Sequence, residues 1–400
     1  MNTMIGEDGV PFLPPEIFAR LTPEEVDELR KATPVVRVHP QRVVALRAED
    51  VKRLAAHPSL VQVPGAAYCD VMGIPPGRCR TFLTTMMLMT NGAEHQRRRG
   101  AFSKAFAHPV IRAKRPEVRR VADRIVADLP RGEPFNFLDL CAARLPAEMI
   151  AEVIGLDPEN SGWFARHVYS LSECLVSPYS GHEAIEASAE ALYGFVAERL
   201  EARRRAPRDD LLSILATDDS ERGLEPEELI YQVMGVILGG SDTTRSGFNM
   251  IVGRLLGERS LWEAVKADRS LIPAAIEESL RLEPPVGAMP RYAPAPLSIG
   301  GVEIAAGQVV NLSTVSAMRD EAQHAEPGRF DLGRKDGPKP HLVFGGGAHR
   351  CLGEMLARLE MEEGLAALMD GAPDIEMIEA PRLPGPVGIR KSTPLIARIP

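Results

Sequence analysis

The spacing of apolar and polar positions divides the chain into regions of different character. The first eighty residues mix short β-like pieces, such as VVRV at 35–38, with helical ones such as PEEVDELRKA. From about Glu94 to Gly257 the apolar residues recur mostly at helical spacing. Within that region ASAEALYGFVAERLEARRRA (187–206) predicts a long helix whose basic end suits a helix C-terminus, and RAPRDD reads as the loop after it. A second long helix is predicted from Pro226, a favoured first-turn residue followed by Glu227 and Glu228, to about Gly257. Its first half is apolar nearly all round, which predicts a buried central helix. After Pro284 the pattern changes. PLSIGGVEIAAGQVVNLSTV is rich in Pro, Gly and β-branched residues and predicts short strands and turns. EMLARLEMEEGLAALM, beyond Cys351, is helical again. The sum is a mainly α protein with a small β part in one large unit, without internal repeats.

Composition narrows the function classes. The 400 residues are 44% hydrophobic and 26% charged, near globular averages, and a chain this long buries a large core without disulfides or structural metals. A net charge of −8 argues against wholesale nucleic-acid binding. The five cysteines, Cys69, Cys79, Cys141, Cys174 and Cys351, are widely spaced without a CxxC, so neither a zinc site nor a disulfide framework is expected. Reduced cytosolic thiols fit best. The first residues do not read as a signal peptide, and the most apolar run, LIYQVMGVILGG (229–240), is too short to span a bilayer. A soluble, cytoplasmic protein without membrane insertion is expected.

The most informative stretch is FGGGAHRCLG (344–353). Most cysteines are small buried hydrophobes. This one follows three glycines, precedes a fourth, and stands beside a predicted helix start, where the dipole and the first N–H groups stabilise a thiolate. Such a thiolate is a competent axial ligand for haem iron. The stretch resembles the haem-binding loop of cytochromes P450, whose pattern F-G-x-G-x-[HR]-x-C-x-G is filled at all six fixed positions. The resemblance implies that Cys351 is the proximal iron ligand and that His349 bonds a haem propionate. It implies that Phe344 packs beside the sulfur, that Gly345 belongs to the haem-binding residues, and that Gly353 lets backbone lie against the porphyrin.

Three further constellations extend the resemblance over about residues 90 to 400. Glu278 and Arg281 stand at i, i+3. Alone they are an ordinary helix pair. Followed by Pro284-Pro285 and by Pro327-Gly328-Arg329-Phe330, they match the family's order, in which Glu278, Arg281 and Arg329 form a buried charge network bracing the haem loop. In Gly239-Gly240-Ser241-Asp242-Thr243-Thr244 two glycines interrupt a helix at about 1 kcal/mol each. Close packing, with Thr243 bonded to the carbonyl four residues back, would explain them. The segment also resembles the family's oxygen-activation motif, in which glycine opens a groove for O2, Thr243 hydrogen-bonds there, and Asp242 relays protons. His95 and Arg99, at i, i+4 in EHQRRRGAF, would otherwise read as part of a solvated basic face. In the family such a pair bonds haem propionates, as does an arginine at the position of Arg291. Arg97, Arg98, Lys104 and Arg350 are then expected on a basic proximal face that attracts an acidic electron donor.

Two departures stand out. Met318-Arg319-Asp320-Glu321 replaces the usual Asn-Arg-Asp-Pro, so a different local turn is expected, and Gly346 and Ala348 are unusually small. Other classes fit less well. Gly239-Gly240-Ser241-Asp242 begins like a hydrolase nucleophile elbow, but the fifth position is Thr243 and the setting is a helix. No glycine run continues into GK[ST]. A non-catalytic haem sensor would need Cys351 but not Asp242 and Thr243.

The resemblance implies a single P450 domain over 1–400, with the mainly α fold of a helical triangular prism and a small β-sheet region. The β-containing lobe is expected mostly at about 30–65 and 285–330, and the helical core at about 94–284 and 351–370. It implies haem b as cofactor, O2 as co-substrate, and electrons from NAD(P)H through a separate reductase and ferredoxin-type donor. An apolar small-molecule substrate is expected, with a pocket formed by Met86, Met87, Ile237, Gly239, Gly240, Val286 and Met289.

Overall fold

The structure, a computed structural model, describes residues 4–5, 9–154, 161–175, 181–208, 210–217, 223–336 and 341–400. The chain forms two compact units interleaved in sequence: Met1–Val63, Met250–Cys351 and Pro381–Thr393 in one, and Pro64–Asn249, Leu352–Ala380 and Pro394–Pro400 in the other. In chain order the strands are β1 (Met4–Ile5), β2 (Pro11–Phe12), β3 (Val35–His39), β4 (Arg42–Ala45), β5 (Pro134–Asn136), β6 (Ala288–Tyr292), β7 (Leu297–Ile299), β8 (Val302–Ile304), β9 (Val309–Ser313), β10 (Glu376–Glu379) and β11 (Ile396–Arg398).

The first unit holds a sheet in the order β1-β2-β3-β4-β9-β6. β3 and β4 form an antiparallel hairpin, β9 lies parallel to β4, and β6 returns antiparallel to β9 with Arg291 opposite Val310. Successive residues of a strand point to opposite faces. Val35, Val43 and Ala45 accordingly join one core with Val51, Leu54 and Leu312, while Val36 and Val44 join another with Phe18, Val26 and Leu29. Both faces are covered, which is why VVRV reads as a nearly continuous apolar run rather than an alternation. The helix Pro23–Ala32, which helps cover the second face, starts with a full capping box between Thr22 and Glu25 and has Pro23 in its first turn.

In the second unit the helix His182–Arg205 begins five residues before the predicted 187. The predicted central helix is Pro226–Gly257, and its early residues Leu229, Ile230, Tyr231, Val233, Met234, Ile237 and Leu238 are all buried. A helix spanning Glu354–Gly371 crosses Arg115–Ala127, pinned by Arg115 to Glu362 at 2.6 Å and by Arg119 to Asp370 at 2.6 Å. Its Gly364 is a contact point. A Cβ there would lie 2.7 Å from the Phe248 ring and 2.8 Å from Leu145. A small sheet, β10-β11-β5, lies in this unit and outside the stretches where the pattern predicts strands. Its strands are three or four residues long, too short for periodicity to reveal.

Candidate active site

The cysteine loop belongs to the first unit as far as Cys351. Two single turns of tight helix, Leu342–Phe344 and Gly347–His349, flank a reversal at Gly345 (φ 74°) and Gly347 (φ 63°), conformations that favour glycine. The loop lies on the end of the helix Ala48–Ala55. A Cβ on Gly347 would sit 2.9 Å from Ala56 Cα, and one on Gly346 would sit 3.1 Å from Ala55 Cβ. Gly346, which the family pattern does not require, stands close over Ala55, which would have to give by a few tenths of an ångström for a larger residue. The loop closes through the Cys351 N–H, which donates to the Phe344 carbonyl at 2.8 Å, and through Arg350, whose guanidinium donates to the Gly345 carbonyl at 2.9 Å. Arg350 thus braces the loop, and these carbonyl bonds leave its positive charge in place. Of the five cysteines, Cys69, Cys79, Cys141 and Cys174 are buried and Cys351 alone is exposed. Burial pushes the Cys69 thiol up to about 11 and Cys141 up to about 12, so these two are held protonated. Gly353 caps the helix Glu354–Gly371 and has open space where a Cβ would be. His349 and Phe344 are half-buried.

The same unit holds a buried ionic network. Arg281 Nε and Nη2 donate to both oxygens of Glu278, at 2.7 and 2.8 Å. Its remaining donors reach the carbonyls of Met318 (3.0 Å), Pro327 (2.7 Å) and Arg329 (3.0 Å). Glu278 also accepts the Asp331 N–H at 3.0 Å and Arg334 Nε at 2.9 Å. This corrects the expected trio. The Arg329 side chain is 59% exposed and pairs with Glu326, and only its backbone carbonyl joins the network; Arg334, 9% exposed, supplies the second cation. The atypical turn is anchored by ions as well. Glu321, in the usual proline position, takes Arg30 at 2.7 Å, while Arg319 reaches Asp27 and Glu24 at 3.0 Å each.

The second unit carries the glycine-rich segment. Gly239 is exposed, and a Cβ there would meet nothing within 4 Å, whereas one on Gly240 would lie 2.5 Å from Ile150 Cδ1. The two glycines thus differ, one opening space and the other admitting a neighbour. Asp242 is buried. Its Oδ1 pairs with Arg245 Nη2 at 2.5 Å and its Oδ2 accepts the Ser172 hydroxyl. Arg245 in turn lies 4.2 Å over the Tyr169 ring. Thr243 Oγ1 donates back to the Gly239 carbonyl at 3.3 Å, the plain helical bond. Neither Ser172 nor Arg245 carries a sequence signal as a partner of Asp242, beyond the i, i+3 spacing of Arg245.

The expected anion-binding cations fall into two groups. His95 is buried on the helix Gly92–Ser103, its pKa lowered first by burial and then by the charge of Arg99 one turn on. In the first unit Arg291 is 5% exposed, and it donates to the Gln62 side chain (2.8 Å) and the Pro290 carbonyl (2.9 Å), both neutral. Burial lowers its pKa to about 10. Among the described residues no carboxylate pairs with it. A buried, uncompensated guanidinium fits a carboxylate-bearing cofactor, and an exposed thiol at a glycine loop fits an iron ligand. Arg97 and Arg98 require a correction. They pair with Glu228 at 2.5 and 2.6 Å, and Arg98 also with Glu94 at 2.7 Å, so their charge is neutralised within the unit.

The cytochrome P450 family model matches residues 174–370. A plant-inducible cytochrome P450, pinF1, of Rhizobium radiobacter is 37% identical over 376 residues, 93% of this chain and 89% of that protein. The chain belongs to the cytochrome P450 family. A steroid C26-monooxygenase of Mycobacterium tuberculosis (strain CDC 1551 / Oshkosh) is 34% identical over 298 residues, 73% of this chain and 79% of that protein. Among solved structures, the P450 enzyme CxnD for C–S bond formation in chuangxinmycin biosynthesis matches with a TM-score of 0.85 at 25% identity, covering 97% of both chains. This P450 is accordingly a haem-iron monooxygenase of bacterial type with the P450 fold. Of the P450 pocket positions expected from sequence, Met86 and Ile237 are buried in the second unit's core, with Met86 against Gly235, and Met87 is partly buried there. In the first unit Met289 lies beside Gly345, and Val286 is half-buried. No helix among the described residues is long and apolar enough to cross a membrane.

Proposed function

We propose that Cys351 is the thiolate ligand of the haem iron and that this P450 inserts one atom of O2 into an apolar small molecule. The net reaction is R–H + O2 + 2 e⁻ + 2 H⁺ → R–OH + H2O, with epoxidation of a double bond as the alternative outcome. The carrying observation is the single exposed cysteine, at the end of a loop whose glycines are demanded by positive φ and by contact with Ala55 and Ala56.

The haem supplies O2 binding and the oxidising power when bound. The protein's own residues hold it and manage protons. Arg291, His349 and the His95–Arg99 pair are assigned to its propionates, with Arg291 favoured by its lack of a carboxylate partner among the described residues. Phe344, Gly345 and Gly353 shape the ligand loop. Thr243 donates a hydrogen bond at the open step made by Gly239. Asp242 passes protons inward, and its ion pair with Arg245 fixes where the carboxylate stands. Glu278 and Arg281 are structural, with Arg334 in the place expected for the Arg329 side chain.

Electrons come from NAD(P)H through a reductase and a ferredoxin-type protein. Since Arg97 and Arg98 are paired with carboxylates within the second unit, Lys104 and Arg350 are the expected cations left for that docking. The apolar substrate is supported by the methionine-rich stretch 86–89 and by the similarity to a steroid C26-monooxygenase. A spectral titration of the haem-loaded protein with steroids, fatty acids and charged metabolites tests this. Tightest binding by a highly charged compound would refute the apolar assignment.

A further inference from the structure

The segment that leads into Met86 and Met87 is held at its start by the helix His182–Arg205 together with Tyr231, and at its end by the central helix. At its start, the helix Arg78–Thr85 is capped by Glu186, which accepts the N–H groups of Arg78 and, at 3.0 Å, Cys79. The Arg78 guanidinium donates to the Tyr231 hydroxyl at 2.8 Å and lies 3.8 Å over the Tyr193 ring. At its end stands Gln232, next to Tyr231 and completely buried (0% exposed). Gln232 Oε1 accepts the Met87 N–H at 2.7 Å, and its Nε2 donates to the Thr85 carbonyl at 2.9 Å and the Glu228 carbonyl at 3.3 Å. One primary amide thus offers an acceptor and a donor to residues 85 and 87, as an adjacent strand would. Between those bonds Met86 rests on Gly235, with 3.6 Å from its Cβ to where a glycine Cβ would be.

A buried glutamine in an apolar core is costly unless its groups are paired, and here the pairing fixes one backbone segment at one height above the central helix. We infer that Gln232 is a specificity-determining positioning residue: it sets the wall formed by Met86 and Met87, and so which apolar substrates fit. It rests on the pocket role proposed above for those methionines.

The test uses three haem-loaded proteins, the wild type, Gln232→Met and Met86→Ala, titrated spectrally with lauric acid, testosterone, 4-phenylimidazole and imidazole. Imidazole is small enough to reach the iron whatever the wall does. For Gln232→Met the account expects imidazole affinity within about twofold of wild type. It expects the order of the three larger probes to change, with at least one affinity altered about fivefold or more. An unchanged order in Gln232→Met alongside an altered one in Met86→Ala overturns the role of Gln232 and leaves the pocket assignment standing. An unchanged order in both overturns the pocket assignment and the inference together. Amide hydrogen exchange of the wild-type holoenzyme gives an independent check if Gln232→Met does not load haem. The Met87 amide should exchange slowly, and exchange as fast as in an open loop would overturn the inference.

Discussion

Arg334→Met and Arg329→Met should differ sharply, although sequence pattern singles out only Arg329. Arg334 gives one buried ion pair to Glu278 at 2.9 Å and hydrogen bonds to the carbonyls of Ala325 (2.7 Å) and Arg329 (3.0 Å). Among the described residues, its loss leaves Glu278 with only Arg281 as a cationic partner. Breaking a buried pair outright costs about 3–5 kcal/mol, and the surviving bidentate bond to Arg281 reduces this to about 2–3 kcal/mol. Arg329→Met keeps the backbone carbonyl that Arg281 uses and removes only an exposed pair with Glu326, worth about 0–1 kcal/mol. The gap of about 2 kcal/mol is roughly a 30-fold difference in the unfolding equilibrium. Urea unfolding of the haem-loaded variants, followed by the visible band and far-ultraviolet circular dichroism, measures it. If Arg329→Met proves as damaging as Arg334→Met, the network has been assigned to the wrong cation.

Other consequences follow from the same geometry. Burial holds the His341 ring at a pKa of about 3, below its ordinary value, among His324, Arg281, Arg350, Glu278 and Glu277. The unfolded chain therefore binds a proton that the fold refuses between about pH 6.5 and 3, and stability should fall with pH through that window by about 1.4 kcal/mol per unit. The ring of His324 is shifted the same way and adds to the slope; His341→Phe should flatten it in urea unfolding at graded pH. Gly239→Ala should load haem normally, whereas Gly240→Ala must displace Ile150 and should lose about 1–3 kcal/mol in thermal or urea unfolding. Reversing Arg98 to Glu should destabilise the second unit by placing like charge against Glu228, so its signature is a lower unfolding midpoint before any effect on reduction kinetics.

The elements most legible in the sequence were those with long, strongly periodic patterns. The central helix Pro226–Gly257 was visible from its first-turn proline to its final glycine, and the strand Val35–His39 from the valines of VVRV, though not its hairpin partner Arg42–Ala45. The strands β5, β10 and β11 were not, because three or four residues carry no period and their partners lie far apart in sequence. The glycine loop was legible because backbone conformation and close approach restrict those positions to glycine, and such restrictions show in one-dimensional spacing. Gly346 required the structure, since only the fold brings Ala55 beneath it. The buried charges were harder still. Nothing in the spacing shows that Arg334 rather than Arg329 turns its guanidinium to Glu278, or that Arg97 and Arg98 face Glu228, 131 and 130 residues further on. Burial and partner decide the role of an arginine, and both are properties of the folded chain.

The central claim is that Cys351 ligates the haem iron as a thiolate. The carbon monoxide difference spectrum of the dithionite-reduced protein, recorded for wild type and Cys351→Ala side by side, tests it most directly. The account predicts the thiolate-ligated spectrum in the wild type and its complete loss in Cys351→Ala, with the far-ultraviolet circular dichroism retained. Persistence of the thiolate spectrum in Cys351→Ala, or its absence from haem-loaded wild type, would contradict it.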